Sequence, residues 1–232
     1  MISIKNLKKN YNGVNAVNIE HLEINAGEVI GLVGNNGAGK TTFFRLLLDL
    51  IRSNEGEILS KGNSVTQTEA WKNYTAAYID EGFLIDYLTP EEYFYFVGKL
   101  GNRSKADVDE FLNQYLVFFD DAILNKKKYI RDFSKGNQFK IGIVAALIGK
   151  PELLILDEPF ANLDPTTQLR LVDMIRKMAI DHSMCILVSS HDINHVSEVS
   201  SRILLMEKGK IIKDIAGGET GYEEMVEYFK VR

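Results

Sequence analysis

The 232-residue chain has one cysteine, Cys185, so no disulfide can form within it. Its surroundings, Met184-Cys185-Ile186-Leu187-Val188, read as an apolar strand. That setting predicts a core thiol, neither nucleophile nor metal ligand. No apolar run approaches the roughly 18 residues of a spanning helix, and Met1-Ile2-Ser3-Ile4-Lys5 has no apolar signal core. The expectation is a cytoplasmic protein that reaches a membrane only through a partner. A concentrated basic face is also missing. The net charge is −5 and the isoelectric point about 5.5, and the longest basic run, Lys126-Lys127-Lys128, reads as a solvated loop. Nucleic acid is therefore not an expected partner. Repeats, low-complexity tracts and long linkers do not occur.

What is present begins with Gly34-Asn35-Asn36-Gly37-Ala38-Gly39-Lys40-Thr41. An apolar run, Val29 to Val33, precedes it, and a helical pattern from Thr42 to about Ile51 follows. Strand, glycine loop and helix is the context in which G-x-x-x-x-G-K-[ST] cradles phosphate. The glycines leave backbone N–H groups free to point inward, and the helix start adds its positive dipole end. Lys40 can reach the β- and γ-phosphates, and Thr41 can ligate Mg²⁺.

Leu153-Leu154-Ile155-Leu156 is apolar throughout, as in a parallel sheet covered on both faces. Asp157-Glu158-Pro159 follows it and puts two carboxylates at the carboxyl end of that strand, where ligands sit in open α/β sheets. Asp157 fits a magnesium partner beside Thr41, and Glu158 fits a general base for an attacking water. A second buried strand, Cys185 to Ser189, leads into Ser190-His191, and His191 is placed to bond a γ-phosphate or orient the water. Ser134 is a plausible N-cap of a helix running to about Ile148, with Gly136 leaving N–H groups accessible.

The chain alternates strands and helices at both ends. Ile2, Ile4 and Leu7, then Val17, Ile19, Leu22 and Ile24, read as period-two strands with a turn at Asn12-Gly13. Residues 84 to 130 read as helices. Thr89-Pro90-Glu91-Glu92 opens one, and Ser104 caps another through about Tyr115. Pro165 to about Asp181 and Glu219 to Phe229 are further helices, and Ile203 to Ile212 is a hairpin.

Phosphate loop, helical insertion, Ser-x-Gly before a helix, strand-Asp-Glu-Pro, then Ser-His: in this order the chain resembles the ATP-binding subunit of an ABC transporter over nearly its whole length. The resemblance implies a single α/β domain over residues 1–232. Its core would be P-loop NTPase (RecA-like), about 1–83 and 138–232, with a parallel sheet and an N-terminal antiparallel β part. The inserted helical subdomain would span about 84–137. It implies an ATPase using ATP and Mg²⁺. ATP would be held by Gly34, Asn35, Asn36, Gly37, Ala38, Gly39, Lys40, Thr41 and Thr42, with Glu158, His191 and Lys40 catalytic. Tyr11 sits where the family stacks a ring on adenine. Ser134 and Gly136 would cap the ATP of a second subunit, so the resemblance implies a head-to-tail dimer. Asp164, after Ala161-Asn162-Leu163, falls in the loop that crosses the interface. The helical insertion, rich in aromatics (Phe83, Tyr87, Tyr93, Phe94, Tyr95, Phe96), would meet a transmembrane permease.

Two departures from the family pattern stand out. Glu81 occupies a position usually Gln, where it would approach the metal or the water. The usual Leu-Ser-Gly-Gly-Gln signature is Phe133-Ser134-Lys135-Gly136-Asn137, with Lys135 at a glycine position where a positive φ would strain it. Such signatures resemble exporters of antibiotics or bacteriocin-type peptides. The alternative readings are an ATPase driving a non-transport membrane signalling complex, or a soluble ABC ATPase acting on nucleic acid or ribosomes. The single cysteine, the single phosphate loop and the absence of a heptad run disfavour the soluble alternative.

Overall fold

The structure, a computed structural model, describes residues 1–79, 84–161 and 163–230. Glu81, Phe83 and Asn162 lie outside the described residues. One sheet is antiparallel. It comprises β1 (Ile2–Tyr11), β2 (Val14–Ile24), β4 (Glu55–Ser60) and β5 (Asn63–Ser64), in the order β2-β1-β4-β5. Asn12 and Gly13 join β1 to β2 with φ of 50° and 86°, the left-handed pair that a tight hairpin turn demands. The step of three from Ile4 to Leu7 breaks period two, and a bulge explains it. Asn6 takes a φ of 49°, and pairing to β4 shifts between Lys5 and Lys8. Leu7 thereby returns to the core face and is buried.

In the larger sheet five strands run parallel: β3 (Val29–Val33), β6 (Thr75–Tyr78), β7 (Leu153–Leu156), β8 (Cys185–Ser190) and β9 (Arg202–Glu207). β10 (Lys210–Ala216) returns antiparallel at the edge, and the order is β10-β9-β3-β8-β7-β6. Every residue of β3, β7 and β8 is buried, because both faces of this sheet are covered. The alternation of side chains divides two cores. Leu153, Ile155, Cys185 and Leu187 face the antiparallel sheet and Phe43 and Phe44 of α1 (Lys40–Leu47). Leu154, Leu156, Ile186 and Val188 face the other way, into a core with α5 (Lys135–Leu147) and α6 (Pro165–His182). Cys185 is fully buried, and burial pushes its thiol up to about 12, as expected for an inert core residue.

Between β6 and β7 the chain is helical: α2 (Pro90–Leu100), α3 (Lys105–Asn113), α4 (Leu116–Phe119), then α5. Thr89 and Ser104 each close a capping box, with Glu92 and Asp107. The aromatics of α2 divide by face. Phe94 is buried against Phe119 at 5.8 Å between ring centres, whereas Phe96, like Tyr87 in the preceding turn, is exposed. The C-terminal part adds α7 (Ile193–Val199) on β3 and α8 (Glu219–Lys230). The structure corrects two expectations and adds one element. α1 stops at Leu47 rather than near Ile51, because Asp49 turns left-handed at a φ of 50°. α3 ends at Asn113, two residues short of Tyr115. α7 was not expected; seven half-polar residues carry too little periodicity to announce a helix.

Candidate functional site

β3, β8 and β7 are neighbours, so the segments leaving their carboxyl ends converge. These are the phosphate loop, Ser190-His191 and Asp157-Glu158. The loop bends through Gly37 at φ 82° and Gly39 at φ 110°. Gly39 is the N-cap of α1 and makes no side-chain cap, leaving first-turn N–H groups for a ligand. A side chain at Gly34 or Gly39 would collide with the carbonyl of Met206 or of Ala16. Glycine at these two positions is therefore required for close packing as well as for conformation.

Lys40 is 6% exposed and reaches back across the loop. Its Nζ donates to Gly34 O at 2.5 Å and Asn35 O at 3.5 Å, and lies 3.1 Å from Glu158 Oε1. The contact with Glu158 is an ion pair without hydrogen-bond alignment, so Oε1 keeps its accepting capacity. The other oxygen, Oε2, lies 2.9 Å from His191 Nδ1 and accepts from the His191 backbone N–H at 3.3 Å. Nδ1 facing a carboxylate is the protonated nitrogen. Glu158 thus spans Lys40 and His191. It does so from a left-handed φ of 49°, an uncommon conformation for a side chain of this size and one that concentrates at functional sites.

Asp157 is 8% exposed and held on both oxygens. Thr41 Oγ1 donates to Oδ2 at 2.5 Å, and Ser189 Oγ donates to Oδ1. Burial raises the Asp157 carboxyl above its usual range, with the Glu158 charge adding to the rise; the Ser189 and Thr41 bonds and the Lys40 charge oppose it. Ser189 also serves the neighbouring residue, since its Oγ accepts the Glu158 N–H at 2.8 Å. Motif and spacing alone assign Ser189 no role. The available signal is a hydroxyl at the last positions of a strand otherwise wholly apolar.

Thr41 and Asp157 together offer only oxygen donors, the chemistry that suits a hard divalent cation. Among the described residues no group of three or more His, Cys, Asp and Glu is arranged to hold a metal by itself. The cation that fits here would draw its remaining ligands from phosphate and water.

Thr42 is the third residue of α1, next to Thr41, and the remaining candidates lie on other elements. Tyr11 ends β1 and is half exposed, with Lys9 Nζ 5.0 Å from its ring centre. Ser134 and Gly136 open α5, where Ser134 Oγ accepts from Asn137 N at 3.3 Å. Lys135 sits in the first helical turn, so no positive φ is asked of it. Asp164 caps α6: Oδ1 accepts from Thr167 N at 3.1 Å and Oδ2 from Thr167 Oγ1 at 2.6 Å. Those two bonds hold its carboxyl below the usual range.

Residues 17–161 match the family described as ABC transporter. The bacitracin transport ATP-binding protein of Enterococcus faecalis is 30% identical over 222 residues, 93% of this chain and 69% of that protein. An uncharacterized ABC transporter ATP-binding protein of Bacillus subtilis is 34% identical over 213 residues, 90% of this chain and 69% of that protein. Among solved structures, an ATP-binding subunit of an ABC transporter superposes with a TM-score of 0.84 at 24% identity, over 100% of this chain and 94% of that one. A dimeric ATP-binding cassette holding ADP and Pi superposes at 0.81 and 21% identity, over 93% and 98%. With a phosphate loop and paired carboxylates converging at the carboxyl ends of neighbouring interior strands and relatives of this kind across nine-tenths of its length, this chain belongs to the ABC transporter family as an ATP-hydrolysing, ATP-binding cassette.

Proposed function

We infer that this chain powers a separate membrane permease of the export type by closing on ATP as a dimer and reopening after hydrolysis. The observation that carries the catalytic part is Glu158, set between Lys40 and His191 beside the Thr41–Asp157 pair. On nucleotide binding, Lys40 Nζ exchanges the Gly34 carbonyl for β- and γ-phosphate oxygens, and first-turn N–H groups of α1 hold the phosphates. Thr41 and Asp157 would hold Mg²⁺, which when bound neutralises charge on the β- and γ-phosphates. Glu158 polarises the attacking water and takes its proton as the water oxygen bonds to the γ-phosphorus. The bond to the β–γ bridging oxygen breaks, leaving ADP and phosphate. His191 orients Glu158 through Nδ1. Tyr11 is the adenine platform.

Ser134 and Gly136 stand at the start of α5, an element other than the one that carries the phosphate loop, and serve the ATP of a second copy. Asp164 shapes the crossing loop by capping α6. No helix among the described residues is long and apolar enough to cross a membrane, so transport requires membrane-spanning structure beyond them. The exposed Tyr87 and Phe96 of the helical region suit that contact at the cytoplasmic face. The relaxed signature supports export, and the likeness to a bacitracin transport ATP-binding protein supports a role in transport. The test is Glu158→Gln. It keeps ATP binding, lowers hydrolysis by about 10²-fold or more, and accumulates an ATP-bound dimer on size exclusion. Unchanged turnover would refute the role of Glu158.

A further inference from the structure

We propose that Gly209, at the tip of the β9–β10 hairpin, is a positioning residue that sets the spacing between the adenine platform and the phosphate loop. The proposal rests on the nucleotide site described above and adds a member that touches neither base nor phosphate. The Gly209 N–H donates to Ala38 O at 2.8 Å, inside the loop. The Gly209 carbonyl accepts from Asn18 N at 2.7 Å, on the free edge of β2. β2 pairs with β1 along its length, and Tyr11 is paired with Val14 at the end of that hairpin. One residue therefore joins the strand pair that carries the base platform to the loop that carries the phosphates.

The seat of this turn is tight. A Cβ on Gly209 would stand 2.8 Å from the carbonyl carbon and oxygen of Ala16 and 3.0 Å from Val17 Cα. All three are backbone atoms and cannot swing aside. Lys208 and Gly209 both take left-handed φ, 47° and 80°, which turns the Gly209 N–H one way and its carbonyl the other. Just before them, Met206 packs on the loop from behind, its carbonyl against Gly34 and its methyl against Gly39. The hairpin thus grips the loop at Gly34, Ala38 and Gly39 while its tip holds β2.

A ligand made of phosphates alone needs only the loop. ATP needs loop and platform at the right separation. Binding of Mg-ATP and of Mg-tripolyphosphate is therefore measured by calorimetry on the full chain, for the wild type, Gly209→Ala and Asn18→Pro. Asn18→Pro removes the β2 side of the brace from an edge strand, where the lost N–H serves no strand partner. Expected is a loss of about tenfold in ATP affinity in each variant, with tripolyphosphate affinity unchanged within about twofold. Melting curves confirm that the variants are folded; should Gly209→Ala fail to fold, Asn18→Pro decides. Equal losses for both ligands, or unchanged ATP affinity, overturn the proposal. A wild type that gains nothing from the adenosine part removes the platform and the proposal with it. A wild type that binds neither ligand sinks the nucleotide-site reading itself.

Discussion

Ser189→Ala is the most exacting perturbation of this site, because one hydroxyl serves both carboxylate residues. Ser189 is fully buried, so water cannot easily replace it. Its loss strips Asp157 of a charge-assisted bond worth about 1.5–3 kcal/mol and leaves the Glu158 N–H without an acceptor, at about 1–3 kcal/mol. The two losses share one atom and some relaxation, so the expected destabilisation is about 2–5 kcal/mol. For a chain of this length that lowers Tm by about 5–15 °C. The released Glu158 backbone also loses part of what holds its left-handed φ, so kcat falls more than KM rises. Asp157 loses a bond that favours its charged form, so its carboxyl titrates still higher and the acidic limb of the activity profile moves to higher pH. Urea denaturation and steady-state hydrolysis across pH measure all three. A destabilisation below about 0.5 kcal/mol, within the range of an ordinary surface change, with an unmoved acidic limb, would show that the hydroxyl is dispensable and the argument wrong.

Asp157→Asn should abolish Mg²⁺-dependent hydrolysis yet raise Tm. Its carboxyl is raised on folding, so ionisation costs stability as pH climbs from its ordinary value of 3.8 through the higher folded one. The stability gap between variant and wild type is therefore full at neutral pH and closes below 3.8, which acid titration of Tm checks. Native Cys185 should resist thiol reagents and react only on unfolding; rapid stoichiometric labelling of the folded chain contradicts the burial argument. Gly31→Ala should cost about 1–3 kcal/mol in urea, because a methyl there runs into Val196 and Ser200, where the α7 region packs on β3. A neutral result would mean that α7 can shift away from the sheet.

The chemistry of this protein was legible in local residue order. Glycines followed by Lys40-Thr41 need only a strand before and a helix after to bind phosphate, and apolar flanks of the right period announce both. Asp157-Glu158 was legible for the same reason: a four-residue apolar strand can end only at the rim of a sheet. Caps at Thr89, Ser104 and Ser134 act within four residues, so their bonds could be read from spacing alone, whereas the cap made by Asp164 emerged only in the structure. Tertiary structure decided what depends on partners distant in sequence. Ser189 became the clasp of Asp157 and Glu158 only because β7 and β8 are adjacent. Gly209 looked like an ordinary hairpin glycine until the sheet order set it between Asn18 and Ala38. The bulge at Asn6, the early end of α1 and the whole of α7 were likewise settled by packing, where a few residues of weak periodicity yield to the surface they must cover. Side-chain pattern is a local property of the chain. The distance between two loops is a property of the sheet that carries them.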